Sequence, residues 1–585
     1  MRHLPDEGQK VMITIQNSLK KYTADADKAV TPQVTVDRAT AAFAEQGREI
    51  LSQLRRIDTG RLDIPVYLSI CGEKAREVMP TRKQMGKGSS PVQAKASALM
   101  ELAERFSYFS FISNPANFHS MTWNEASSAW PHELIPITEI IKSVNEDISP
   151  SQAEQVLSLV TWQFTRATCM GRDQEFYIPY TWFKKLNEFN GCSAGNTFEE
   201  SILQGGCELI ERHCCALIDS RQDPVPTIDL QSAADPVLKE LLDKFAKNNI
   251  KVWLKDFTLD MPAPTVGALA YDPANFPGLS EIVYTAGTAT SPTKAAVRAL
   301  TEIAQLAGDF HSGSNYEASG LPKYTSLDQI KWLTRGPAVS LDSLPDISHP
   351  DMGVELKKLC SGLNSLGFEL FSLSTMHADL KIPANYNFVP GFQFRERTRH
   401  ASLGMITGRI LAEETDPDQA VTSLGMLEKI YPDSFFIPFY KGIAFMRRHE
   451  SQKALDLFRQ AQDIQPDNES RALCSFYSAY TLSHSQKWEK SVPFLNTAIE
   501  LDPLVKEYFN LRGVALFKLD KFETAASDFQ KALELDSGSA TDMANLGICY
   551  HRTGRSRAAA DMLTRALELD PDLSYARKTL DEIRL

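Results

Sequence analysis

Two short stretches of this chain place acids and a base where they could act on one ligand. Glu101, Glu104 and Arg105 form a Glu-x-x-Glu-Arg signature, and Glu208, Glu211 and Arg212 form it again. In an α-helix, Ser97, Glu101, Glu104 and Arg105 would share a face. Glu200, Gln204, Glu208 and Glu211 would project within about 80° of one another, and Arg298, Glu302 and Gln305 would likewise form one stripe. Like charges three or four residues apart destabilise a solvated helix by a few tenths of a kcal/mol. Gathered in a cleft they cost far more unless something positive offsets them. Magnesium suits the role, because it takes oxygen ligands, keeps waters and is commonly held by a few carboxylates together with substrate phosphates. Zinc would want Cys or His, which these faces lack.

Simpler readings exist for each element. Glu200 could be the distal half of a capping box with Thr197. Glu101 with Arg105, and Glu208 with Arg212, are i,i+4 pairs that a solvated face could carry. The recurrence of one signature on helices introduced by glycine-containing loops favours a shared site. Gly86-Lys87-Gly88 lacks the spacing of a Walker loop. His213, Cys214 and Cys215 are adjacent and would point in different directions from a helix, which argues against a nucleophilic triad. Lys28 and Thr35 could touch a phosphate from the N-terminal side.

The elements that must position these residues are legible. Segments 64–70, 282–285 and 368–373 read as strands, and 90–109, 196–219 and 292–309 as helices. Ser90 can cap the first helix, Pro91 suits its first position, and Gln93 can close a capping box with Ser90. This mixture predicts an α/β catalytic-type domain over 1–397, followed by a linker over 398–415.

The remainder, 416–585, is repetitive. Ala498, Ala532 and Ala566 recur at intervals of 34 in the matched phrases AIELDP, ALELDS and ALELDP, and Gly513 and Gly547 keep the same interval. Upstream, Gly442, Ala461 and Pro466 continue the pattern, although the step from Ala461 to Ala498 is 37. Period and small-residue positions resemble tetratricopeptide repeats, helix hairpins that stack because no single pair can bury its apolar stripe alone. The resemblance implies a docking surface for a peptide or partner protein. Residues 575–585 read as a capping helix.

The 585 residues are 43% hydrophobic and 23% charged with a formal net charge of −12, which describes a folded soluble chain. No surplus of Lys or Arg exists to neutralise a nucleic-acid backbone, so nucleic acid is not an expected partner. No stretch of about 18 apolar residues occurs, so no membrane is expected either, and a cytoplasmic location is predicted. The nine cysteines include no Cys-x-x-Cys pair, which argues against a zinc knuckle or a disulfide framework.

Taken together, Ser97-Ala-Leu-Met-Glu-Leu-Ala-Glu-Arg105, Ser193-Ala-Gly-Asn-Thr-Phe-Glu-Glu200 continuing to Glu208-Leu-Ile-Glu-Arg212, and Arg298-Ala-Leu-Thr-Glu302 with Gln305 resemble the YcaO family over most of 20–395. The resemblance implies ATP and Mg2+ bound in an acidic pocket without a Walker loop. It implies metal-linked roles for Glu101, Glu104, Glu208, Glu211 and Glu302. Nucleotide contacts would come from Lys28, Thr35, Ser97, Ser193, Asn196, Glu200, Gln204, Arg212, Arg298 and Gln305, with Glu101, Glu208, Glu302 and Arg298 closest to the chemistry. That chemistry is phosphorylation of a peptide or protein backbone amide, leading to an azoline, a thioamide or support of protein methylthiolation. Azoline-forming members commonly finish in a proline-rich tail, whereas this chain finishes in Asp581-Glu-Ile-Arg-Leu585, which shifts the expectation toward the other two outcomes. The alternative is a noncatalytic ATP-binding adaptor that recruits a modifying enzyme through its repeats. A homodimer is compatible with the sequence.

Overall fold

The computed structural model describes residues 13–45, 50–58, 61–274, 282–307, 324, 326–395, 401–536 and 538–584. The chain divides into two compact units, 1–150 with 161–401, and 151–160 with 402–585.

The first unit is α/β, with three sheets. An antiparallel meander of Leu51–Arg56, Val66–Cys71 and Lys83–Lys87 leads into the site. A five-stranded sheet runs in the order Val283–Thr288, Thr265–Tyr271, Lys251–Asp256, Thr227–Ile228 and Ala338–Val339, the last pair parallel. The third sheet orders His119–Met121, Trp162–Cys169, Phe371–Ser374, Ala384–Phe388 and Cys192–Ala194, with Gln174–Pro179 also paired to Trp162–Cys169. The strands expected near 64–70, 282–285 and 368–373 are all present within a few residues.

Three helices carry the acidic stripes: Pro91–Ser113, Phe198–Arg221 and Pro292–Ala307. The last was expected to reach 309, but 308 and 309 lie outside the described residues. Ser90 caps the Pro91 helix by accepting from Gln93 N at 3.4 Å. The expected return bond from the Gln93 side chain is not made, because that side chain lines a cavity instead. The meander fits against the Pro91 helix only because position 86 has no side chain. A Cβ on Gly86 would lie 2.0 Å from Ala98 N and 2.6 Å from Ala94 O. The Pro292 helix packs on a core that includes Val266, Ala268, Ala295, Ala299 and Ile303.

The second unit is all-helical. Helix pairs run from Pro417–Ile430 through Ser556–Leu569 and finish in Ser574–Arg584, with Leu585 outside the described residues. The recurring residues sit where neighbouring helices press together. Ala498, Ala532 and Ala566 are fully buried. A Cβ on Gly442 would meet the Phe458 ring at 2.6 Å, and one on Gly513 would meet the Phe529 ring at 2.9 Å. Part of the span expected as a linker, 398–415, is instead a helix, Leu403–Glu414, belonging to this unit. Leu403, Ile410 and Leu411 give it an apolar stripe to bury, and Ser402 Oγ caps it by accepting from Met405 N at 3.1 Å. The expected boundary at 397 falls within 396–400, outside the described residues.

Candidate functional site

The three acidic stripes converge on one cavity of about 390 Å³ in the first unit. The Pro91 helix contributes Ser97, Glu101, Glu104 and Arg105, and the Phe198 helix contributes Glu200, Gln204, Glu208, Glu211 and Arg212. The Pro292 helix contributes Arg298, Glu302 and Gln305. Hydrogen bonds tie the Phe198 helix to the Pro292 helix and to the strand Val283–Thr288. Arg298 Nη1 donates to Gln204 Oε1 at 3.0 Å, and Thr288 N donates to Glu211 Oε2 at 2.9 Å. Lys87, at the end of its strand, forms an ion pair with Glu302. Arg105 Nε lies 3.3 Å from Glu104, with its guanidinium over the Phe189 ring. The acids therefore line one shared, partly open cavity rather than a solvated ion-pair face.

The N-terminal segment closes another wall with polar contacts. Ala29 N donates to Glu200 Oε2 at 2.9 Å, and Lys28 Nζ lies 3.3 Å from Glu200 Oε1. Asn196 Nδ2 donates to the same carboxylate at 3.0 Å, while Thr35 Oγ1 donates to Asn196 Oδ1 at 3.2 Å. Thr197 Oγ1 accepts from Glu200 N at 3.1 Å, but the Glu200 side chain faces this segment rather than closing a capping box. Asp25 accepts from both Ser89 N and Ser89 Oγ, and Lys20 bridges Asp27 and Glu355 at 2.7 and 2.6 Å.

The electrostatics follow from crowding acids away from water. Burial raises Glu104 to about 8, against the pull of Arg105 and with Glu208 and Glu101 adding to the rise. Burial also raises Glu101 and Glu208, opposed by Arg105 and Arg212 respectively. Burial lowers Lys87 to about 7, with Arg298 and Arg212 assisting and Glu211 and Glu101 opposing. Cys207, which also lines the cavity, is pushed by burial to about 12, so its thiol is not a nucleophile near neutrality.

Every residue assigned to the nucleotide and metal site from the sequence lines this cavity except Ser193. Its side chain is buried behind the site, where Oγ accepts from Asn387 Nδ2 at 2.9 Å and lies 3.3 Å from Ser201 Oγ. Ser193 belongs to the strand Cys192–Ala194, and alternation along the strand turns it to the face packed by the Phe198 helix, against Ser201 and Gly205. His213 is stacked on Phe392 at 4.3 Å and its Nδ1 accepts from Gln393 N at 3.0 Å, a packing role. All nine cysteines are buried and free. Sequence reasoning missed Asp25, Asp27, Ser89, Lys294 and Glu355 as lining residues. Nothing in local spacing marks them, since their approach depends on how distant segments pack.

A family model described as "YcaO cyclodehydratase, ATP- and Mg2+-binding" matches residues 85–393, more than half of the chain. The chain belongs to the YcaO family. A tetratricopeptide-repeat model matches residues 507–572. An uncharacterized protein of Methanothermobacter thermautotrophicus is 25% identical over 387 residues, covering 63% of this chain and 95% of that one. An uncharacterized protein in the tfuA 3' region of Rhizobium leguminosarum bv. trifolii is 26% identical over 357 residues, covering 55% and 79%. A heterocyclase solved in complex with substrate and cofactor shares the fold, with a TM-score of 0.54, 20% identity and coverage of 68% of this chain. The chain spans 57% of that heterocyclase.

ATP and Mg2+ are accordingly the cofactors of this YcaO domain, and the cavity suits them. Its volume lies in the range of small-molecule sites. Nine carboxylate side chains line it against six Lys and Arg side chains, an acid excess that a cation accompanying a polyphosphate would offset. Among the described residues, Arg298 Nε and Gln93 Oε1 are buried without a hydrogen-bond partner, which leaves a donor and an acceptor for a ligand. No three His, Cys, Asp or Glu side chains among the described residues stand close enough to hold a metal by themselves. Among the described residues, no helix is long and apolar enough to cross a membrane.

Proposed function

We propose that this YcaO protein activates a backbone amide of a peptide or protein by ATP- and Mg2+-dependent phosphorylation, leading to a thioamide or azoline or supporting methylthiolation. The observation that carries this reading is the convergence of three separately encoded Glu/Arg helices on one cavity. ATP supplies the phosphoryl group that turns an amide oxygen, a poor leaving group, into one that can depart. Glu101, Glu104, Glu208, Glu211 and Glu302 hold the magnesium, and Arg212 and Arg298 offset phosphate charge. Lys28, Thr35, Asn196, Glu200 and Gln204 orient the nucleotide, with Ser97 and Gln305 completing the wall. Ser193 supports this wall from behind through Asn387. Their common work is placement and charge neutralisation, the main contributions of protein to phosphoryl transfer. The repeats recruit the substrate or a partner protein.

Mass spectrometry of candidate peptides incubated with the protein, ATP and Mg2+, with and without sulfide, tests the reading. Loss of water identifies an azoline and replacement of oxygen by sulfur a thioamide. ATP bound tightly but never turned over with any candidate would favour the adaptor role instead.

A further inference from the structure

Lys87, Arg105 and Lys294 are cavity cations to which the proposed function gives no task, and of these Lys87 is paired with Glu302. Met85 and Lys87 alternate along their strand into the cavity, while Gly86 between them is pressed on the Pro91 helix. Gly88 is also confined, because a Cβ there would lie 2.7 Å from the Gln93 side chain and 2.8 Å from Ala94 N. The backbone on both sides is thus fixed, and the Lys87 ammonium is delivered to Glu302. Other cations have different posts: Lys28 on Glu200, Arg105 beside Glu104, Arg298 on Gln204, and Lys294 on the carbonyls of Thr23 and Ala24.

We propose that Lys87 is an internal counter-ion that occupies Glu302 until nucleotide arrives and so makes metal binding depend on nucleotide. The inference rests on the reading of Glu302 as a magnesium acid. A divalent cation entering alone would meet the Lys87 ammonium and find one carboxylate already engaged. A triphosphate changes both conditions, because its oxygens accept from the ammonium and release Glu302. The ammonium suits this exchange, being a compact charge with three rotatable donors on a flexible stem. By linkage, each ligand then raises affinity for the other by the same factor.

Binding of Mn2+ as a magnesium substitute, followed by electron paramagnetic resonance on the full chain with and without a non-hydrolysable ATP analogue, tests the proposal. In the wild type and Lys87→Arg, the analogue is expected to tighten Mn2+ binding by about tenfold or more. Lys87→Gln is expected to bind Mn2+ without nucleotide about tenfold more tightly than the wild type, so that the coupling shrinks. Unchanged nucleotide-free affinity in a folded Lys87→Gln protein overturns the proposal while leaving the magnesium site standing. If Lys87→Gln folds only when Mn2+ or Mg2+ is present, the metal is replacing the ammonium and the proposal holds. If it stays unfolded with metal, Lys87 acts otherwise and the proposal fails. A wild type that binds no Mn2+ even with the analogue overturns the magnesium site and the proposal together.

Discussion

Glu104 offers the sharpest quantitative test of the acidic cavity. Its carboxyl is raised to about 8 from 4.5, chiefly by burial, so the metal-free folded state holds a proton that the unfolded chain releases. Stability from this group is greatest below pH 4.5 and is lost as the pH rises through 8. The loss between pH 6 and 8 is about 2 kcal/mol for this group alone. Glu104→Gln removes the titration, so the metal-free variant should lose about 2 kcal/mol less than the wild type over that interval. Denaturant midpoints in EDTA at pH 6, 7 and 8 measure the difference. A cation entering the cavity takes the place of the proton, so binding of Mg2+ with a non-hydrolysable ATP analogue at pH 7 should release about one proton from Glu104. Calorimetry in buffers of different ionisation enthalpy reads that release, which should fall by about one proton in Glu104→Gln. Identical pH slopes and identical proton release in the two proteins would refute the view that a buried, protonated Glu104 faces the cation.

Glu208→Gln and Glu302→Gln should each lower nucleotide turnover by roughly 100-fold or more with unchanged circular dichroism, as loss of one charge-stabilising group does elsewhere; full turnover in both would remove them from the mechanism. Ser193→Ala should cost about 1 kcal/mol of stability through the lost Asn387 bond while leaving ATP-analogue affinity within twofold, as checked by denaturation and calorimetry. Gly86→Ala sets a Cβ against backbone atoms of the Pro91 helix. It should cost roughly 3 kcal/mol or yield insoluble protein, judged by soluble expression and melting. Gly513→Ala should cost about 1–3 kcal/mol by overpacking against the Phe529 ring, and a second change, Phe529→Leu, should recover part of the loss in a melting series.

The local parts of this protein are written in its sequence. Helical periodicity put Glu101 with Glu104 and Glu208 with Glu211 on single faces, because three- and four-residue spacing fixes which side chains lie together whatever the rest of the chain does. The 34-residue recurrence of Ala498, Ala532 and Ala566 announced stacked hairpins for the same reason, each small residue marking a close helix approach. Tertiary packing decided what lies between such segments. It brought three distant helices to one cavity, carried Asp25 to Ser89 and Lys20 to Glu355, and set Lys87 on Glu302. It also turned Ser193 toward the Phe198 helix and Gln93 away from its capping box, and it gathered Leu403–Glu414 into the helical unit. Local spacing contains no record of such long-range contacts, because their geometry is fixed only when the apolar faces behind them pack together.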